Sequence, residues 1–347
     1  MPLRCVDETG NDVHAFDLSA EEWRALGERN RKSRMLRMPC CSTAVILRRS
    51  SRGTQHFAHK AVGDCTTAPE TEAHLRLKRI AVEVARKHGW DVKTEVKGIA
   101  PTGEEWIADV LAQKNNAKVA VEIQWSSQTN GETMRRQERY RQSGIRCLWL
   151  LKKPGFPTTE ALPAAQILEY GRTYSARVAY SQEMPVEAFL DAAFGGRFRY
   201  GIPSQGRAAV HIRVGEIDCW KRQCGAKTRI VTGIDIELGP HTIPFSVAEL
   251  GEYPRLFEEV FRHLPHDPNI GRLKRRFSKT QERQYLSNGC YRCDSLVGEF
   301  FEFEARYSEE IVNSFHVRMT PEWKRAIEED MRYQPDWAVY SPDELES

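Results

Sequence analysis

The chain has 347 residues, of which 40% are hydrophobic and 29% are charged, and its formal net charge is +3. This length predicts two or three domains, and the composition is that of an ordinary globular protein. The first residues, MPLRCVDETG, have no apolar core, and no apolar run approaches the roughly 18 residues that a membrane span needs. We therefore expect a soluble, cytoplasmic protein without a secretory leader, and we exclude a membrane-spanning one.

Residues 1–66 are predicted to form a small module that contains cysteines and histidines. Cys40, Cys41 and Cys65 flank the two histidines of the sequence HFAHK, His56 and His59. In a cytosolic chain, cysteines are more often metal ligands or buried thiols than disulfides. Two interpretations are open. A zinc ion would use Cys41, or Cys40, with His56, His59 or Cys65; alternatively, two histidines lie in a turn beside buried thiols.

Basic residues form separate clusters along a chain whose overall charge is close to neutral. Such clusters fit a protein that contacts phosphate backbones along particular faces, although each cluster can equally be a solvated surface. The clusters comprise Arg29, Arg31, Lys32, Arg34 and Arg37; Arg48, Arg49 and Arg52; Arg135, Arg136, Arg139 and Arg141; and Arg272, Lys274, Arg275, Arg276 and Lys279.

Residues 70–88 read as an amphipathic helix that begins after Pro69 and ends at Gly89. Glu70 falls at the centre of its apolar stripe, and His74 lies beside it one turn later. Burying a carboxylate is costly unless it is paired or binds a metal, which favours a functional role for Glu70. The alternative is a solvated acid that stabilises the start of the helix through the helix dipole.

The sequence EWIADVLAQKNNAKVAVEIQWS reads as two strands joined by a turn at Asn115 and Asn116. A turn centred there places Asp109 directly opposite Glu122, with Cβ atoms roughly 4.5–5.5 Å apart, and Gln124 on the same face as Glu122. Facing carboxylates repel each other, and a divalent cation between them removes the repulsion. Mg²⁺ or Mn²⁺ held in this way would neutralise a phosphate and activate water, which Gln124 can orient.

A helix at residues 131–143 and a buried strand, IRCLWLL, follow this hairpin. The order helix, hairpin, helix, strand predicts an α/β fold with an α/β/α core and a right-handed crossover. We assign this domain to residues 67–155.

Residues 156–347 are predicted to form an α+β domain that contains a split zinc ribbon. Cys219 and Cys224 would join Cys290 and Cys293, because four thiolates close a tetrahedral zinc site. Since such a site has no open position, this zinc would be structural. The sequence also predicts helices within 185–200 and 247–264, strands at 208–217 and 229–238, and a core strand at FFEFEARY.

The stretches HFAHK, ETEAHLRLK, WIADV, VAVEIQWSSQT, RQERY and IRCLWLL together resemble the competence protein CoiA family, over about residues 36–152. The region shared by that family is similar to PD-(D/E)XK, or restriction-endonuclease-like, nucleases. The resemblance therefore implies Asp109 and Glu122 as ligands of Mg²⁺ or Mn²⁺. It also implies Gln124 in the place of the usual lysine, and Glu70 as the supporting acid.

His74 and Lys78 match the same helical motif of the family. Because Gln124 is neutral, we hypothesise that Lys78 supplies the positive charge that the usual lysine would carry. The chain also departs from the C-P-x-C pair of family members, since it has Met38-Pro39-Cys40-Cys41 at that place.

Three functions are compatible with these features. The first is an active DNA nuclease in DNA processing, recombination or defence, and the opposed Asp109 and Glu122 favour it. The second is a catalytically weak accessory factor that binds DNA, which the neutral Gln124 favours. The third is a zinc-stabilised interaction protein, which leaves the opposed acids without an explanation. We expect the first, with DNA as the partner.

Overall fold

The computed structural model describes residues 2–61, 70–179, 182–280 and 282–346. It is a mixed α/β protein that divides into two units, Met1–Phe198 and Arg199–Ser347. Among the described helices, none is both long and apolar enough to cross a membrane.

The first unit begins with a small module of two hairpins and one helix. Its core includes Trp23 and Phe57, and Leu75 of the following helix belongs to the same buried cluster. The module therefore packs directly against the segment that carries the candidate site. Its elements are β1 (Arg4–Val6), β2 (Asp12–His14), a short 3-10 helix (Ala15–Asp17), α1 (Ala20–Ser33), β3 (Val45–Arg49) and β4 (Gln55–His59).

A seven-stranded mixed sheet forms the centre of the first unit. Its strands are β5 (Asp91–Ile99), β6 (Glu105–Lys114), β7 (Ala117–Gln124), β8 (Arg146–Leu151), β9 (Ala164–Tyr170), β10 (Thr173–Arg177) and β11 (Glu183–Pro185), in the order β11-β10-β9-β8-β7-β6-β5. Strands β7, β8 and β9 are mutually parallel, and the other neighbours are antiparallel. The helices of this region are α2 (Glu72–Lys87), α3 (Asn130–Gln142) and α4 (Val186–Phe194).

The elements predicted around the candidate site are present. Helix α2 begins two residues later than predicted, because the side chain of Thr71 caps it by accepting a hydrogen bond from the His74 N–H. The β6–β7 turn contains Asn115 in the left-handed region, with φ 52°, which asparagine tolerates. Helix α3 then connects the parallel strands β7 and β8, as a crossover connection should.

The central sheet continues beyond residue 155, where the sequence had suggested a domain boundary. Strand β9 pairs in parallel with β8, and β10 and β11 extend the sheet further. The first unit consequently ends at Phe198. The predicted helix at 185–200 is also shorter, because Gly195 and Gly196 end it after Phe194.

The second unit is built on a four-stranded antiparallel sheet in the order β15-β14-β13-β18. Its strands are β12 (Phe198–Tyr200), β13 (Arg207–Asp218), β14 (Lys227–Leu238), β15 (His241–Phe245), β16 (Lys274–Ser278), β17 (Arg283–Ser287), β18 (Glu310–Arg318) and β19 (Trp337–Val339). Two small pairs, β16–β17 and β12–β19, accompany the sheet. The helices are α5 (Val247–Leu250), α6 (Pro254–Phe261), α7 (Glu299–Ala305) and α8 (Pro321–Glu329), with a 3-10 helix at Arg306–Ser308.

The prediction of a core strand at FFEFEARY is wrong, because this stretch forms α7 and the following 3-10 helix. Phe300 and Tyr307 are 79% and 87% exposed, so aromatic content alone misled the prediction. Buried Glu302 instead anchors the helix, since its Oε1 accepts a hydrogen bond from Asn288 Nδ2 at 2.7 Å. The helix predicted at 247–264 is two helices, since Pro254 starts a new one.

Candidate active site and metal centres

Acidic side chains from three adjacent strands lie in one row across the central sheet. The register of β5 with β6 places Glu95 opposite Asp109, and the register of β6 with β7 places Glu122 on the other side of Asp109. Glu70, just before α2, reaches the same place through a shared cation, Lys78. Asp109 is therefore the centre of an acidic cluster within an otherwise apolar sheet.

Where the regular pairing of β6 with β7 stops, the carboxylates of Asp109 and Glu122 accept hydrogen bonds from backbone N–H groups of the opposite strand. The Ile123 N–H donates to Asp109 Oδ2 at 2.9 Å, and the Asp109 N–H lies 3.4 Å from Glu122 Oε1. Each acid thus fixes the strand that carries the other, and both are held in place before any ligand binds.

The Lys78 ammonium is fully buried and contacts three carboxylates. Its Nζ lies 2.6 Å from Glu70 Oε1, 2.8 Å from Glu95 Oε1 and 3.1 Å from Asp109 Oδ1. Burial opposes the charge on Lys78, but the three acids raise its pKa above the ordinary value. Burial likewise opposes the charge on Asp109, yet Lys78 and His74 hold the pKa of Asp109 well below its usual range.

Glu70, His74 and Asp109 form a cluster that fits a divalent metal ion. Each offers one ligand atom, and these atoms lie within 4.8 Å of one another. His74 Nε2 is 3.1 Å from Asp109 Oδ1. Glu70 Oε2 is buried and has no hydrogen-bond partner among the described residues, so one carboxylate oxygen is available as a ligand. Two carboxylates and an imidazole are donors that Mn²⁺ accepts readily, and the carboxylates suit Mg²⁺.

Glu122, predicted as a metal ligand, is engaged by helix α3. Tyr140 Oη donates to Glu122 Oε1 at 2.5 Å, and the Arg136 guanidinium forms an ion pair with Glu122 Oε2. The side chain of Glu122 is only 1% exposed. This burial, together with the negative charge of Asp109, raises the pKa of Glu122 to about 7, against the lowering effect of Arg136 and Tyr140.

Gln124 also contacts Arg136, which brings a cation to the place of the usual lysine. Arg136 Nη1 donates to Gln124 Oε1 and to Gln128 Oε1, each at 3.1 Å, and its guanidinium lies over the Trp149 ring at 5.0 Å. Gln124 Nε2 donates to the carbonyl and hydroxyl oxygens of Ser126. Lys78 was hypothesised to supply the positive charge that the usual lysine carries. Its ammonium instead contacts the carboxylates of Glu70, Glu95 and Asp109, and the cation in contact with Gln124 is Arg136.

Sequence reasoning missed Glu95 and did not single out Arg136 or Tyr140 as partners of Glu122. Glu95 has φ 51°, in the left-handed region, and the first strand holds it there. The Leu3 N–H donates to Glu95 Oε1 at 3.2 Å, and Arg4 Nη2 donates to the Glu95 carbonyl at 2.9 Å. The sequence could have indicated Glu95, because it is a glutamate within the strand-like run DVKTEVKGI, directly before the hairpin that carries Asp109 and Glu122.

We expect the metal-free protein to lose stability through Glu122 as the pH rises from about 4.5 to about 7. The raised pKa means that the folded protein binds this proton more tightly than the unfolded chain within that window. Unfolding free energies of the wild type and Glu122→Gln, measured at about pH 5 and about pH 7.5, would test whether stability falls with rising pH. The wild type should weaken relative to the variant at the higher pH, and identical pH dependence would contradict the prediction.

The four cysteines of the second unit lie together, as the predicted zinc ribbon requires. The Sγ atoms of Cys219 and Cys293 are 3.6 Å apart, and those of Cys224 and Cys290 are 3.7 Å apart. All four sulfurs lie within 4.8 Å of one another. Tetrahedral zinc with Zn–S bonds of about 2.3 Å places its sulfurs about 3.8 Å apart, so the cluster fits a structural zinc ion.

A second cysteine cluster lies in the first unit, at Cys40, Cys41 and His59. Cys41 Sγ is 3.2 Å and Cys40 Sγ is 3.6 Å from His59 Nε2. His56 is not part of this cluster, because positions three apart on a strand face opposite sides and its Nδ1 lies 3.2 Å from the Thr54 carbonyl. Cys65, the other candidate ligand, lies outside the described residues.

Comparison with protein families assigns a domain class to the region that contains the acidic cluster. Residues 70–166 match a family model for a nuclease-like domain, and this range includes Glu70, Glu95, Asp109 and Glu122. The family is that of competence protein CoiA, and its model is described as "Competence protein CoiA, nuclease-like domain". The resemblance to the CoiA-like family is thereby confirmed for this part of the chain. A comparison with curated proteins found no match.

Proposed function

We propose that this protein is a Mg²⁺- or Mn²⁺-dependent DNA nuclease with a restriction-endonuclease-like core, acting in DNA processing such as competence or recombination. The observation that carries the proposal is the buried oxygen of Glu70, which has no hydrogen-bond partner among the described residues and lies beside His74 and Asp109. The match of this region to a nuclease-like domain supports the same reading.

In this proposal, Asp109 is the central metal ligand, and Glu70 and His74 bind on one side of it. Glu122 lies on the other side of Asp109 and would become a ligand by exchanging its contact with Arg136 or Tyr140 for the ion. A bound divalent ion supplies a Lewis acid for the phosphate and lowers the pKa of a nearby water. Lys78 does not contact substrate, since it is fully buried; it is a positioning residue that keeps Glu70 and Asp109 together.

Gln124 and Arg136 would act on the phosphate side of the site. The Gln124 amide can orient the attacking water by a hydrogen bond, although it cannot carry a positive charge. Arg136 is 25% exposed and always protonated, so its guanidinium can neutralise charge that develops on the phosphate. Arg136 thus provides the positive charge that the lysine of the usual motif would provide.

Replacing Asp109 with asparagine should lower the rate of metal-dependent DNA cleavage by about a thousandfold or more. This factor corresponds to a rise of several kcal/mol in the activation barrier. The substitution keeps the shape of the side chain but removes the negative charge that interacts with Lys78, with His74 and with the proposed metal ion. Cleavage of linear, circular and single-stranded DNA with Mg²⁺ or Mn²⁺ is the measurement, and Mn²⁺ binding followed by electron paramagnetic resonance is the second readout.

The matched control is Asp91→Asn, which removes an exposed carboxylate from β5 of the same sheet and should leave both readouts unchanged. Cleavage that survives in Asp109→Asn would refute the site assignment. A wild type that binds DNA and Mn²⁺ without cutting would instead favour the accessory factor, for which the engagement of Glu122 by Arg136 and Tyr140 is the supporting observation.

We further propose that Cys219, Cys224, Cys290 and Cys293 hold a structural zinc ion. The support is the spacing of their sulfurs, which matches a tetrahedral site without an open position. The cluster of Cys40, Cys41 and His59 offers three ligand atoms for a further zinc ion.

A further inference from the structure

A basic groove runs between α1 and β3 in the first unit. It has a volume of about 590 Å³, and no carboxylate is among its described lining residues. Asn30 holds the two walls together, because its Nδ2 donates to the Val45 carbonyl at 2.7 Å and its Oδ1 accepts from the Leu36 N–H at 3.0 Å. The groove is therefore preformed. Its lining includes six cations: Arg24, Arg31, Arg34, Arg48, Arg49 and Lys60.

These cations lie on helix α1, just after it, on strand β3 and just after β4, and the fold brings them around one groove. All six are exposed, and within the described parts of the chain none of them forms an ion pair with a carboxylate. Elsewhere in this unit many arginines are paired with acids, as Arg4 is with Asp12 and Arg177 is with Glu183. Unpaired charges of one sign around a concave surface focus a positive potential, which attracts a polyanion.

The Arg49 end of the groove leads towards the start of α2. Strand β3 ends at Arg49, and the next residue, Ser50, donates from Oγ to Glu72 Oε1 at 2.7 Å. Glu72 lies in the first turn of α2, between Glu70 and His74. A strand that follows β3 along the groove would therefore arrive at the turn that carries two of the proposed metal ligands.

We propose that this basic groove binds the phosphate backbone of single-stranded DNA and guides it towards the start of α2. The proposal rests on the proposed nuclease function only for its direction, since the binding itself needs no catalysis. The groove is a crevice between a helix and a hairpin, which admits one strand more readily than a duplex. Trp23 lines it but is 5% exposed, so bases have no open aromatic platform there and binding would be independent of sequence.

The first test is the affinity of the full chain for a fluorescent single-stranded oligonucleotide, without added Mg²⁺ or Mn²⁺ and in the Asp109→Asn background so that cleavage cannot occur. Removing three groove cations should weaken binding at least about tenfold and reduce the slope of log K against log salt by about 2, at about 0.7 per lost phosphate contact. The groove variant is Arg24→Ala/Arg31→Ala/Arg48→Ala. The control, with equal loss of charge from exposed positions outside the groove, is Lys87→Ala/Lys118→Ala/Arg146→Ala.

A second pair of variants changes the groove at one position that is independent of the arginines. Gly27 lies on its lining inside α1, and a Cβ there would make only an ordinary contact with Leu47 Cδ2, at 3.8 Å. Gly27→Ala should therefore bind DNA like the wild type. Gly27→Glu places a negative charge in the groove and should weaken binding at least about fivefold without loss of helix stability, because glutamate favours helices more than glycine does.

The groove proposal and the nuclease proposal fail in different ways. Hydrolysis of bis(4-nitrophenyl) phosphate, a small diester, reports on the acidic cluster and should be unchanged in the groove variants. If the groove variants bind single-stranded DNA with wild-type affinity and salt slope, or lose only duplex binding, the groove proposal is overturned even if cleavage persists. If binding falls as expected while no diester is ever hydrolysed, the groove stands and the nuclease proposal fails.

Discussion

Replacing Cys290 with serine should remove the zinc ion that we propose for the second unit and unfold at least the region of β13, β14 and β17. Cys290 is 2% exposed, so the serine hydroxyl would occupy a buried position with no metal to bind. Structural zinc contributes roughly 10 kcal/mol or more to folding at neutral pH, which is comparable with the whole stability of a domain. Zinc content by mass spectrometry and the thermal unfolding profile are the measurements.

The matched control for this variant is Cys40→Ser, which alters the other cysteine cluster. It should leave the zinc of the second unit in place and keep that unit's unfolding transition. A strong chelator should reproduce the effect of Cys290→Ser in the wild type. If Cys290→Ser is purified with unchanged zinc content and melts like the wild type, the four cysteines are free thiols and not a metal centre.

Replacing Lys78 with methionine should destabilise the first unit by about 3–5 kcal/mol. Methionine retains much of the length of lysine, so the change mainly removes the ammonium that lies between Glu70, Glu95 and Asp109. Three neighbouring carboxylates would then be left without a compensating charge. Chemical denaturation of the two proteins without metal measures the difference, and acidification should reduce it as the carboxylates become protonated.

Divalent metal should restore part of the stability that Lys78→Met loses. Saturating Mn²⁺ stabilises any protein that binds it only when folded, by about 2.7 kcal/mol at a hundred times the dissociation constant. The rise in melting temperature should be larger in Lys78→Met than in the wild type, because in the variant the ion also supplies the positive charge that the neighbouring carboxylates have lost. Exposed Lys118→Met should change stability by no more than about 0.5 kcal/mol. A Lys78→Met protein as stable as the wild type would contradict this role.

The sequence was most informative where local rules decide the structure. A helix start, a turn at Asn115 and strand alternation were sufficient to place Asp109 opposite Glu122, because a hairpin register depends only on the position of its turn. The cysteine spacing similarly predicted the cluster in the second unit, since only a few side chains can converge on a tetrahedral site. Asp109 and Glu122 are linked by one short hairpin, and each cysteine pair lies within one short segment, although the two pairs are 66 residues apart.

The contacts that depend on packing between distant elements were not predictable in this way. Glu95 joins the cluster only because β5 is the next strand of the sheet and adopts a left-handed φ at this residue. The approach of Arg136 to Glu122 depends on how α3 packs on β7 and β8, which no sequence period determines. The basic groove likewise needs α1 and β3 to meet, although their arginines were visible as clusters in the sequence.

The contacts of Glu95 have a practical consequence for work with recombinant fragments. A fragment cut at the limits of the family match, residues 70–166, would lack the Leu3 N–H and the Arg4 guanidinium that hold Glu95 in its unusual conformation. It would also expose Leu75, which is fully buried against the amino-terminal module, and would truncate β9, the partner of β8. An inactive excised domain would therefore report damage from the excision, and only the intact chain is a fair subject for enzymology.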